Sequence, residues 1–274
     1  MPDVSAVTWL FVPGDRPDRF ATAAAAGADA VILDLEDAVA PRHKEAARDH
    51  VVRWLGGAGT GWVRINAAGT PWYADDLATL AGCDGLRGVV VPKAEDGADL
   101  GAVGAHLGID VGVVALVESA VGVHRAAEIA ASRGVDRLAF GSIDYALDIG
   151  ADGTWDSLLL ARSALVLASR LAGIDPPVDG VTTALHDPET LAADVGRARG
   201  LGFTGKLCIH PAQVEAVARG FAPSADEVAW ARRITAAADG AGAVAVDGAM
   251  VDRPVLERAR RILAYGQQRA GGST

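Results

Sequence analysis

Cysteine is scarce in this sequence: Cys83 and Cys208 are the two it has in 274 residues. They stand far apart and without partners at metal-ligand spacing, so a reduced, cytoplasmic protein is expected. Basic charge is short as well. Lys and Arg number 25 against 35 Asp and Glu, a formal net charge of -10, which argues against nucleic acid as a partner because a basic face supplies most of that affinity. A small anionic substrate is still allowed, since local Arg and Lys override the global sign. No apolar run reaches the ~20 residues of a membrane helix, so no membrane partner is expected. The opening MPDVSAVTWLFVP lacks the basic segment and long apolar stretch of a secretory signal. HExxH, GxSxG, Walker-type and GxGxxG signatures are missing, which removes the common zinc protease, hydrolase and nucleotide readings.

What is present is a series of short apolar strands alternating with helical stretches. Strands are predicted over 7–12, 28–35, 62–66, 88–93, 111–118, 136–141, 177–181 and 205–210, the seventh more from its place in the series than from its composition. Most are aliphatic runs bounded by Gly, Pro or Asp, as parallel strands buried on both faces should be. Helices are expected from Pro17 into the alanine run that Gly27 is placed to stop. Others are expected over 41–55, 73–81, 97–107, 120–133, 157–172, 187–199 and 211–219. A doubly wound open sheet would alternate similarly, but eight units with polar residues at so many strand ends favour closure into a (β/α)8 barrel over residues 1–220. Residues 221–274 read as a C-terminal helical extension, with helices near 225–239 and 255–268 joined by a short turn region, GAGAVAVDGAMVDRP. Either a packing helix pair at a subunit interface or a role at the active site accounts for it.

The strand ends carry the chemistry, because the βα loops of such a barrel converge on one face. Glu118 and Asp144 lie at or just beyond the ends of adjacent strands, where two carboxylates can share a hard cation such as Mg²⁺ with water and substrate oxygens. Taken singly, each could equally cap the helix that follows. Asp34, Glu36 and Asp37 add three acids at another strand end. Arg64 offers a planar fork for a carboxylate or thioester oxygen, or for one of those acids. Lys93 could hold the acidic cluster or touch substrate; a Schiff-base role is disfavoured, since an acidic surround keeps it protonated. Arg16 and Arg19, after the first strand, suit a phosphate-bearing ligand, and His210 could support the site or contact ligand.

Together LFVPGDRPDRF, DAVILDLEDAVAPRHKEAAR, VRINAAGT, VVVPKAED, ALVESAVGV, LAFGSIDY, GKLCIHPAQV and GAMVDRPVLERA resemble the citrate lyase β-subunit-like family. That family includes malyl-CoA and citramalyl-CoA lyases and sits among the metal-dependent class II pyruvate aldolases. The resemblance implies Mg²⁺ held by Glu118 and Asp144, with Arg64 on the acyl or ketoacid part and Arg16 and Arg19 where CoA binds. It also implies that Asp252, in the place of the tail aspartate of GxMVDxP, reaches a neighbouring subunit's site as acid/base, whereas Asp247 does not occupy that place. Catalytic roles are thus expected for Arg64 and Asp252, substrate contacts for Arg64, Glu118, Arg16 and Arg19, and support for the site from Asp34, Glu36, Asp37, Lys93 and His210. The implied activity is Mg²⁺-dependent cleavage or formation of a β-hydroxyacyl-CoA, giving acetyl-CoA and a 2-oxoacid, in a homotrimer or hexamer. A citryl-carrier lyase subunit, a thioesterase or malate-synthase-like enzyme, and a noncatalytic acyl-CoA-binding barrel are the alternatives. Asp252 and the basic first loop favour a free-standing CoA lyase.

Overall fold

The computed structural model describes residues 6–108, 111–238, 244–246 and 249–271. Eight parallel strands close a barrel in sequence order: β1 (Thr8–Pro13), β2 (Ala30–Asp34), β3 (Gly61–Arg64), β4 (Leu86–Val91), β5 (Gly112–Val117), β6 (Arg137–Phe140), β7 (Asp175–Asp179) and β8 (Gly205–Cys208). Closure comes from β1, which pairs with β2 on one side and β8 on the other. Helices α1 (Phe20–Ala24), α2 (Lys44–Leu55), α3 (Tyr73–Leu80) and α4 (Gly97–Leu107) follow the first four strands in turn. After β5 come α5 (Ala120–His124) and α6 (Ala126–Ala130), and after β6 come α7 (Ser142–Ile149) and α8 (Leu159–Ala172). Finally α9 (Pro188–Leu201) follows β7 and α10 (Pro211–Phe221) follows β8. This is the TIM-barrel architecture.

Two-residue periodicity explains the interior. Inward positions Trp9 and Phe11, Ala30 and Ile32, Val114 and Leu116, Ala139, Val178 and Leu207 form one apolar cluster. Trp9 and Trp62 meet edge-to-face with centroids 4.8 Å apart. Room for Trp62 comes from Gly88, where a Cβ would lie 2.2 Å from its ring. One further step along the same faces places Asp34 above Ile32, Arg64 above Trp62 and Glu118 above Leu116. At the opposite end, Arg137 is fully buried. Its guanidinium donates to the carbonyls of Ala6 and Pro176 and to Thr204 Oγ1, each at 2.7 Å.

Three elements differ from expectation. The helix expected over 120–133 breaks at Arg125 (φ -96°, ψ 11°), whose guanidinium reaches the Glu95 carbonyl at 3.2 Å. Helix α7 was not anticipated: it begins directly after Gly141, and its aliphatic Ile143, Leu147 and Ile149 are exposed while its buried face is only Ser142, Tyr145 and Ala146, so no strong apolar stripe marked it in the sequence. The tail segment read as a turn instead forms antiparallel strands β9 (Val244–Val246) and β10 (Ala249–Val251). Asp247 and the expected helix end at Asp239 lie outside the described residues.

The chain divides into two compact units, one ending at Ala218 and the other beginning at Arg219. In the second, α11 (Ala225–Ala238) and α12 (Arg253–Gly271) share a small core of Ala231, Ile234, Val251, Ala259 and Ile262. Among the described residues no helix is long and apolar enough to cross a membrane.

Candidate active site

Strand pairing aligns Asp34 with Arg64 across β2 and β3, and their side chains join in a bidentate pair, Nε to Oδ1 at 2.8 Å and Nη2 to Oδ2 at 2.6 Å. The third guanidinium nitrogen, Nη1, faces Glu36 Oε2 at 3.1 Å and Asp37 Oδ2 at 3.6 Å, and the group lies 4.8 Å over the Phe11 ring. Burial alone would weaken the Arg64 cation, but Asp34 and Glu36 outweigh it and raise its pKa. The loop bearing these acids is pinned from below. Lys44 Nζ, buried on α2, donates to the Leu35 and Glu36 carbonyls, both at 2.7 Å, and Asp34 itself accepts from the Glu36 and Ala38 amides.

Glu118 follows β5 and is buried. The capping reading fails for it: Ser119 is the N-cap of α5, accepting from the Gly122 amide. Glu118 Oε1 instead accepts the Lys93 amide at 2.8 Å. To present that amide, Lys93 adopts a left-handed φ of 50°, a conformation that a non-glycine residue holds only when its surroundings enforce it. Its Nζ pairs with Glu36 Oε1 at 3.2 Å. Burial foremost, with help from Glu36 and Asp144, pushes the Glu118 carboxyl up to about 8. Burial likewise raises Glu36. Gly141 is required beside Glu118, since a Cβ there would come within 2.4 Å of the Glu118 Cβ. Asp144 is carried by the first turn of α7, three residues on.

Arg64, Glu118 and Asp144, with Asp34 and Asp37, line one cavity of about 380 Å³ at the carboxyl ends of the strands, floored by Phe11, Leu116 and Leu207. The donor set fits a hard divalent cation. The five carboxylates outnumber Arg64, Lys93 and Lys44, and two of them, Glu118 and Glu36, are raised by burial. Among the described residues no three His, Cys, Asp or Glu side chains form a ready cage, so a cation there would need water or substrate oxygens too.

Other expected residues fall elsewhere. Arg19 and His210 line a neighbouring cavity of about 480 Å³ between the β1 and β8 loops, and His210 Nδ1 also accepts the Ala212 amide at 3.2 Å. Arg16 pairs with Asp18 two residues away, Nε to Oδ1 at 3.0 Å and Nη2 to Oδ2 at 2.8 Å. Asp252 is exposed and caps α12 through the Val255 amide at 3.1 Å. Asn66 binds buried Asp76, which also holds Arg48, a purely internal network. Lys44 is a contributor that sequence reasoning missed. Its signal was a lysine in the helix after the acidic strand end, in a stretch already quoted for its resemblance. Cys208 is buried and its thiol is pushed up to about 12, which leaves no thiolate nucleophile.

A parallel eight-stranded α/β barrel with buried carboxylates and a fixed arginine at its strand ends is the class that fold and site define. Residues 8–211 match the HpcH/HpaI aldolase/citrate lyase family, and the chain belongs to it. A citrate lyase subunit beta-like protein of Deinococcus radiodurans is 40% identical over 93% of this chain and 95% of its own length. A (3S)-malyl-CoA thioesterase of Cereibacter sphaeroides is 37% identical over 94% and 93%. Among solved structures, the protein CitE from Mycobacterium tuberculosis in complex with magnesium, acetoacetate and coenzyme A superposes with a TM-score of 0.86 at 39% identity, covering 96% of this chain and 99% of that one.

Proposed function

We propose that this chain is a Mg²⁺-dependent carbon–carbon lyase acting on a β-hydroxyacyl-CoA such as malyl-CoA or citramalyl-CoA, releasing acetyl-CoA and a 2-oxoacid. The observation that carries this is the gathering of Glu118, Asp144 and Arg64 on one cavity at the strand ends. Glu118 and Asp144 would hold the cation, which supplies Lewis-acid polarisation of the substrate's oxygens when bound. The chain's own groups do the rest. Arg64, fixed by Asp34 and lining the cavity, stabilises negative charge on a carboxylate or enolate oxygen. Transfer of the hydroxyl proton to the acid/base group breaks the bond between the carbinol carbon and the acyl α-carbon, giving the 2-oxoacid and a thioester enolate. A general acid then delivers a proton to the enolate carbon, and Asp252 of a neighbouring copy is the group assigned to that step. The apolar floor of Phe11, Leu116 and Leu207 keeps water from competing for the enolate. Arg19 and His210, on the adjoining cavity, are assigned to the CoA portion.

Trans action requires an oligomer, and a trimer or hexamer is proposed. Leu147 on α7 and Leu160, Leu167 and Leu171 on α8 are each at least 60% exposed, an apolar surface that a subunit contact would cover. The relatives called malyl-CoA thioesterases favour a second reading, in which hydrolysis of the thioester follows or replaces cleavage. An acyl-CoA panel incubated with Mg²⁺ and followed by mass spectrometry separates the two. Acetyl-CoA with a 2-oxoacid supports the lyase, free CoA with the hydroxyacid supports the thioesterase, and no turnover of any thioester overturns both.

A further inference from the structure

The two carboxylates assigned to the cation are held differently. Glu118 is fixed through its own oxygen, which accepts the Lys93 amide. Among the described residues the Asp144 carboxylate accepts no hydrogen bond, so its place depends on the pose of α7, the eight-residue helix that carries it. The start of that helix is anchored. The Gly141 amide donates to the Val117 carbonyl at 2.9 Å, and Ser142 fills space left by Gly180, where a Cβ would come within 2.3 Å of its Oγ. Tyr145 packs against Phe140 with ring centroids 5.6 Å apart. The outer side, with Ile143, Leu147 and Ile149, is exposed.

Asp148 ties down the far end. Its Oδ2 accepts the Ala120 amide at 2.7 Å, a charge-assisted bond to the first residue of α5. Residues four apart share one face of a helix, so Asp148 lies one turn beyond Asp144 on the same side. Ala120 stands two residues beyond Glu118 in the chain. A single hydrogen bond thus joins the helix of one proposed ligand to the strand end of the other. Ser119 already satisfies the Gly122 amide, so the first turn of α5 is capped both by its own N-cap residue and by a carboxylate from α7.

We propose that Asp148 is a positioning residue for the cation site: by holding α7 against the start of α5, it fixes the place of Asp144 relative to Glu118. This rests on the reading that those two residues hold Mg²⁺. A short helix anchored at one end tilts about that end, and a displaced carboxylate fails the near-octahedral geometry that Mg²⁺ demands. Asp148 acts through Asp144 rather than on the cation or the substrate.

The full-length protein, Asp148→Asn and Asp148→Ala are titrated with MgCl2 by calorimetry, and amide hydrogen exchange over α5 and α7 is followed in metal-free buffer. Asp148 is exposed, so both variants should fold, and thermal melts check this. Asparagine keeps an acceptor oxygen for the Ala120 amide, whereas alanine has none. Asp148→Ala should weaken Mg²⁺ about tenfold and speed exchange in both helices, and Asp148→Asn should recover most of the affinity. Equal Mg²⁺ affinity in the parent and Asp148→Ala would overturn the role and leave Asp148 as a cap of α5. Asparagine as weak as alanine would also refute it, because the site would then need the charge and not the hydrogen bond. Glu118→Ala keeps the two readings apart, since it should abolish the binding heat wherever the parent shows one. A parent that binds no Mg²⁺ would remove the cation reading and the positioning role together; a parent that binds it, with Asp148→Ala unchanged, would remove the positioning role alone.

Discussion

The guanidinium of Arg64 gives two parallel donors to Asp34 and still has Nη1 for Glu36 Oε2 at 3.1 Å, a division of labour that one ammonium cannot reproduce. Arg64→Lys should therefore keep the charge and lower kcat/KM by about one to two powers of ten. Kinetics indistinguishable from the parent would reduce Arg64 to a partner of Asp34. At Glu118 and Asp144, substitution by Ala should abolish Mg²⁺-dependent turnover with circular dichroism unchanged, and full activity of either variant in a chelating buffer would sink the assignment. These residues were legible in the sequence because period-two alternation places Asp34, Arg64 and Glu118 on the inward face of their strands, whatever the helices do. Arg162, Asp179 and Lys206 were not, since an ion cluster joining α8, β7 and β8 leaves no spacing to read. Arg16 has a partner close in sequence: the Asp18 carboxylate two residues away takes its fork.

Between elements, the eight strands stood out as apolar runs. Even the Pro-rich β7 could be placed, although its two prolines fit poorly with a regular ladder and its pairing with β6 shifts register. Helix α7 was hidden because its aliphatic Ile143, Leu147 and Ile149 are exposed and only Tyr145, Ala146 and Ser142 are buried, a weak stripe for amphipathicity to report. The tail strands were hidden because three-residue segments fall below what alternation can resolve. Asp252 belongs to this scale too, since it is seen to cap α12. Asp252→Ala should cost about 1 kcal/mol in unfolding measured by denaturant, and Asp252→Asn much less. If Asp252 also serves a neighbour's site, the Asn variant should lose 10²–10⁴ in rate, the usual worth of an acid/base. Mixed oligomers with Glu118→Ala subunits should then regain part of it. Verified subunit exchange without recovery would refute the shared site.

For the molecule as a whole, the buried carboxyls couple folding to pH. Glu118 holds its proton up to about 8 when folded, against an ordinary 4.5, and Glu36 is shifted the same way. Below pH 4.5 both folded and unfolded chains are protonated there and nothing is lost. As pH rises toward 8 the unfolded chain releases its proton first, so stability should fall across that window and level off above it. Melting temperatures in metal-free buffer should show this decline, Glu118→Gln should flatten it, and Mg²⁺ should restore more stability at the alkaline end. A Tm level across the window would contradict the burial argument. The barrel's foot has a kinetic corollary. Arg137 is tied to three strand-end groups beneath the Trp9 and Trp62 layer, so that end is stoppered and ligands share the mouth where the carboxylates lie. Whichever partner sits deeper must arrive first and depart last. For a small oxoacid beneath a bulky thioester, that is a compulsory order, visible as one product inhibiting competitively and the other not.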